Sequence, residues 1–217
     1  PPLIELLKST STSPHENAAR AISMLALDEQ NKTLIAVAGG LEPLVQLITS
    51  GSELTKQHAA YALESLLQRN ADNQATLAGI RAYVPLVSLL SSESSVTAES
   101  AVAALICLGE HASSQKAVIR KLVECLNGKS ITAQLKAAEA LAKLSCRNAT
   151  FRAEIVKAGA ITPLVGLLGT GQRADLKTPP ERAAAVLADL SRIAESKTEI
   201  SRAGGIMPLV NMLASRC

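Results

Sequence analysis

Pro43-Leu44-Val45-Gln46-Leu47-Ile48 is followed, sixteen residues on, by Ala59-Ala60-Tyr61-Ala62-Leu63-Glu64-Ser65-Leu66. In the second stretch small residues hold the first, second and fourth places and large aliphatics the fifth and eighth. That is the i, i+3, i+4, i+7 spacing of a helix buried along one side. Alanine at such places combines high helix propensity with close approach of a neighbouring helix. The first stretch is a second apolar helix, with its proline tolerated in the first turn.

Both stretches recur. The Pro-Leu-Val element starts at Pro2, Pro43, Pro85, Pro163 and Pro208, with a proline-free copy at Lys121. The intervals are 41, 42, 36, 42 and 45 residues. The Ala-Ala element keeps step at Ala18, Ala59, Ala101, Ala137 and Ala183. A period near forty predicts one solenoid over residues 1–217, with about four complete repeats and partial repeats at both ends. A third, shorter helix is predicted before the Pro-Leu-Val element, at 31–38, 73–77, 151–158 and 197–203. Three of these end in Ala-Gly, at Gly39, Gly159 and Gly204, where glycine suits a left-handed helix end.

Composition agrees. Of 217 residues 47% are hydrophobic and only 1% aromatic, with 36 Ala and 32 Leu, which favours packed helices over a sandwich or barrel. No apolar run approaches the roughly 20 residues of a membrane span. The net charge of +3 comes from 22 basic and 19 acidic residues without a basic block, so no nucleic-acid partner is expected. Cys107, Cys125, Cys146 and Cys217 do not make a disulfide framework, and no leader is evident. A cytoplasmic or nuclear setting is the expectation.

With these elements in this order, the chain resembles the armadillo-repeat family over essentially its whole length. The resemblance implies an all-α fold, a right-handed superhelical solenoid of three-helix repeats. It also implies an interaction scaffold that holds an extended peptide or a helix in a concave groove lined by the third helices. In members that grip a peptide, the resemblance implies Asn at the seventh place of the Ala-Ala element and Trp at the third. Here the seventh places hold Met24, Ser65, Cys107, Lys143 and Asp189, and the third places hold Arg20, Tyr61, Ala103, Glu139 and Ala185. Neither ladder is present, which counts against a nuclear-import adaptor.

Helical spacing nominates the groove residues as the third, sixth, seventh and tenth places. They are Arg20, Ser23, Met24, Tyr61, Glu64, Ser65 and Gln68, then Ile106, Cys107 and Glu110. Glu139, Lys143, Cys146, Arg147, Asp189 and Arg192 complete the set. Both charge signs are interspersed, and Tyr61, expected to be a lone exposed aromatic, is the best single anchor.

Four Ser/Thr-rich loops are expected at 8–16, 49–57, 91–99 and 169–181, with Ser13-Pro14 and Thr178-Pro179 as phosphorylation points. In the short fourth repeat the first two helices either merge or the first shrinks, with an expected change of superhelical twist. His15, His58 and His111 have no recurring nucleophilic or acidic companion, so no catalytic set, cofactor or metal site is nominated. Neither end reads as capped, which predicts an excerpt of a longer protein or end-to-end self-association. The rival reading is a structural or regulatory segment of a larger multidomain protein, such as a ligase or motor, packed on a neighbouring domain.

Overall fold

The computed structural model describes residues 2–8, 12–169 and 178–214, without the side chains of residues 12, 13, 178, 179 and 213. Among the described residues there are fifteen α-helices, one 3-10 turn and no strand. They fall in two compact units, residues 1–118 and 119–217, and the boundary lies inside the helix Gln115–Leu126.

The first unit opens with α1 (Pro2–Leu7) and α2 (Thr12–Leu25). Next come α3 (Glu29–Val37), α4 (Leu41–Ser50) and α5 (Glu53–Leu67). The following triplet is α6 (Ala71–Gly79), α7 (Tyr83–Ser88) with the 3-10 turn Leu89–Ser91, and α8 (Ser95–Glu110). α5 packs against α2, α4 and α8, so the third helices stand side by side with the second helices behind them. The second unit holds most of α9 (Gln115–Leu126), then α10 (Ile131–Ser145), α11 (Ala149–Lys157) and α12 (Ile161–Leu168). It continues with α13 (Thr178–Leu190), α14 (Ala194–Arg202) and α15 (Ile206–Ala214). There α13 packs on α10, α11, α12 and α14.

The periodic positions form the core. Leu63, Leu105, Leu141 and Leu187 are buried, as are the alanines at the first two places of α5 and α10, Ala59, Ala60, Ala137 and Ala138. Each proline of α4, α7 and α12 is the third helical residue, where the missing N–H is one the first turn leaves unbonded anyway. α9 settles the fourth repeat: its first two helices have merged into one.

The short helices end alike. Gly39 N–H donates to the Ala36 carbonyl and Gly40 N–H to that of Ile35, both at 2.9 Å, the Schellman pattern. The same pair closes α11 at Gly159 and Ala160, and α14 at Gly204 and Gly205. Gly39, Gly159 and Gly204 have φ of 78°, 79° and 79°, so the left-handed turn expected from Ala-Gly is present. α6 ends in the same two bonds, with Arg81 carrying the positive φ of 56°. A Cβ on Gly159 would meet nothing within 4 Å, so its substitution isolates the backbone cost. Gly159→Ala is therefore expected to lower stability by about 1 kcal/mol, and Arg81→Gly to raise it by a similar amount. Denaturant midpoints check both; a neutral Gly159→Ala would contradict the assignment.

The long helices start earlier than expected. Ser52, Ser94 and Ser130 accept from the N–H three residues on, at 3.1, 3.3 and 3.2 Å, and so cap α5, α8 and α10. The second and third predicted loops thus shrink to a few residues. Asp28, Asn70 and Asn148 cap α3, α6 and α11 in the same way. The side chains of Ser13 and Thr178 and most of the 169–181 loop lie outside the described residues.

Candidate functional site

In the first unit the outward row on α2, α5 and α8 is set by register and side-chain length together. Arg20, Gln68 and Glu110 are exposed, and Met24 is 61% exposed. Glu64 and Cys107 are half-buried. Three expected groove residues are corrected. Ser65, Ser23 and Ile106 are buried, at 4%, 2% and 7% exposure. Ser65 shares the seventh place with Met24, but a short side chain there stays below its neighbours. Ser23 turns back to its own helix, its hydroxyl donating to the Arg20 carbonyl at 2.7 Å. Tyr61 is half-buried rather than fully exposed, because α2 and α8 flank its helix on both sides. Beside it, burial lowers the His58 pKa; Glu16 opposes that shift and Arg20 adds to it, which favours the neutral imidazole.

At the C-terminal end of α5 lies a cleft of about 300 Å³, lined by Ala26, Leu27, Glu29, Lys32, Ser65, Gln68 and Arg69. Lys32 is 3% exposed, and its ammonium donates to Glu29 Oε1 and to the Gln68 carbonyl, both at 2.8 Å. Gln68 in turn donates to Glu64 Oε1 at 3.4 Å. Asn73, also buried, donates to the Leu66 carbonyl at 2.9 Å. The end of α5 is therefore tied to both α3 and α6. Sequence reading missed Lys32, because a lysine on a short helix ordinarily points to water.

In the second unit α10 and α13 carry the row. Glu139 accepts from Lys143 at 2.9 Å, and Lys136 stands 3.7 Å from its other oxygen. Burial alone would raise the Glu139 carboxyl pKa. The Lys143 hydrogen bond and the charges of Lys143, Lys136 and Arg182 outweigh it and hold the group below the ordinary carboxylate range. Asp189, half-buried, accepts from the buried Ser145 hydroxyl at 2.8 Å, a bond that joins α10 to α13. Arg147, Arg192 and Cys146 are exposed, and the Cys146 thiol donates to the Lys143 carbonyl at 3.2 Å. Lys136 and Arg182 stand one place before the first alanine, outside the third, sixth, seventh and tenth places that helical spacing nominates.

Among the described residues no three His, Cys, Asp or Glu side chains gather as a metal would need. His111 Nδ1 instead pairs with the Ser113 hydroxyl at 2.8 Å. Cys125, off the row on α9, is half-buried, and burial pushes its thiol pKa up. Among the described residues no single helix is long and apolar enough to cross a membrane.

A family model described as the Armadillo/beta-catenin-like repeat matches residues 28–67, the span of α3, α4 and α5. A crystal structure of an engineered protein superposes with a TM-score of 0.73 at 27% identity, covering 98% of this chain and 89% of that one. A designed armadillo repeat protein does so at 0.69 and 26%, covering 97% and 90%. The chain has the fold of armadillo-repeat proteins, and residues 28–67 match the repeat itself. Computationally designed armadillo repeat proteins for modular peptide recognition superpose at 0.70 and 26% identity, again over 97% and 90%. Among curated proteins, U-box domain-containing protein 12 of Oryza sativa subsp. japonica is 36% identical over 74 residues. That match takes in 34% of this chain and 12% of the rice protein.

Proposed function

We propose that the chain is a non-enzymatic scaffold that binds an extended peptide or a helix of a protein partner on the outward face of its third helices. One observation carries this reading. In each unit the third helices repeat a row of chemically varied side chains over an interior of alanine and leucine. Such a row offers hydrogen bonds and charges at regular spacing without disturbing the core behind it. The superposed designs made for modular peptide recognition support the same use of the fold. We place the protein in the cytoplasm or nucleus, in keeping with Cys107, Cys125 and Cys146 standing outside any disulfide.

A second reading, a structural or regulatory segment of a larger multidomain protein packed on a neighbouring domain, is favoured by the match to U-box domain-containing protein 12, of whose length the matched stretch is 12%.

Selection of a displayed peptide library on the whole chain separates the two. The scaffold reading expects binders whose affinity falls roughly tenfold with Tyr61→Ala plus Glu64→Lys in the first unit, or with Lys143→Glu in the second. Binders indifferent to all of these, or no binders, would contradict it.

A further inference from the structure

The charges on the third helices differ in height as well as sign. In the second unit the carboxylates lie low: Glu139 has 17% of its side chain exposed and Asp189 is half-buried. Both are already engaged, Glu139 by Lys143 and Lys136, and Asp189 by Ser145. The cations stand higher. The Lys143 side chain is 53% exposed, and Arg147, Arg182 and Arg192 are exposed. Glu181 is the exposed acid at the start of α13, and those four exposed cations outnumber it along the two helices and the turns that follow them. What an approaching molecule meets on α10 and α13 is therefore positive.

The first unit presents the opposite sign. On α2, α5 and α8, and just past their ends, the charged groups at the equivalent places are Glu16, Glu64, Glu99 and Glu110 against Arg20 and Arg69.

We propose that the α10–α13 face of the second unit binds an acidic, aspartate- and glutamate-rich peptide segment. This rests on the scaffold reading above and names the partner chemistry for one of its two faces. Carboxylates of the segment pair with Lys143, Arg182 and Arg192, and Arg presents a planar fork that suits a carboxylate. Glu139 and Asp189 at the floor can accept backbone N–H groups of the same segment. Those two carboxylates also disfavour a nucleic-acid strand, whose phosphates would approach them at close, regular intervals.

The test uses the whole chain and three dye-labelled peptides of alternating Glu and Ser, Gln and Ser, or Lys and Ser, read by fluorescence anisotropy. The Glu-Ser peptide is expected to bind at least tenfold more tightly than the Gln-Ser peptide, and to weaken as salt is raised. Lys143→Glu and Arg192→Glu are each expected to weaken it roughly tenfold. Lys157→Glu, the same change of charge on the exposed side of α11, should leave it unaltered; circular dichroism confirms that all three variants are folded. Equal affinity for Glu-Ser and Gln-Ser, an unchanged Lys143→Glu variant, or tighter binding of a thymidine oligonucleotide would each overturn the proposal. If the displayed library yields binders that depend on the third helices yet carry no acidic bias, the scaffold reading stands and this proposal falls. If it yields none, both fall.

Discussion

Leu63→Ala is expected to lower the free energy of unfolding by about 3–4 kcal/mol, in the upper half of the range for a buried leucine. The side chain is fully buried in α5, the helix against which α2, α4 and α8 all pack. Part of the loss is the transfer term for the deleted methyl and methylene groups. The rest depends on whether neighbours can move into the hole. Closure is limited by the share of alanine in this core: Ala59, Ala60 and Ala62 on the same helix and Ala101 and Ala104 on the adjoining α8 are all buried. An alanine has no rotamer to change, so the cavity stays open and its lining loses dispersion contacts. Leu141→Ala in α10 repeats the test in the second unit, where Ala137, Ala138 and Ala140 of the same helix are buried as well. Urea titrations of both variants measure the effect. A loss below about 1 kcal/mol in both would mean that the alanine-leucine column is not the packing core.

Lys32→Ala is expected to cost about 2–3 kcal/mol, and Lys32→Met roughly half of that. The Glu29 side chain is 64% exposed, so solvent screens that ion pair and it contributes little. The bond that matters is the ammonium's donation to the Gln68 carbonyl just beyond the end of α5, where a helix leaves acceptors without intrahelical partners. Alanine removes both that bond and the apolar stem filling the space between α3 and α5. Methionine keeps the stem and removes the desolvation penalty of a buried cation along with the bond. Two equally mild losses would show that Lys32 merely lies there; a larger loss for Met than for Ala would contradict the packing part of the account.

The contrast between these two residues shows what the sequence makes legible. Leu63 could be read directly, since its place recurs every forty or so residues and the repeat fixes which side is buried. The left-handed turns were equally readable where the residue is Gly39, Gly159 or Gly204, and invisible at Arg81, where the same backbone is imposed on a residue that does not advertise it. The early helix starts at Ser52, Ser94 and Ser130 were present as capping serines but looked like loop composition. Lys32 and Ser65 depend on tertiary neighbours and on side-chain reach, which periodicity does not encode. Charge sorting was hidden for the same reason. Listed along the chain, the signs alternate; only the depth of Glu139 and Asp189 beneath Lys143 and Arg192 reveals a positive face.

Thiol alkylation with and without a library-selected peptide tests most directly whether partners sit on the third helices. Cys107 and Cys146 lie on that face, one in each unit, and Cys125 lies off it on α9. A saturating peptide should slow the alkylation of Cys107 or Cys146 severalfold and leave Cys125 at its free rate. Slowing confined to Cys125, with both face thiols reacting as before, would show that the partner binds elsewhere.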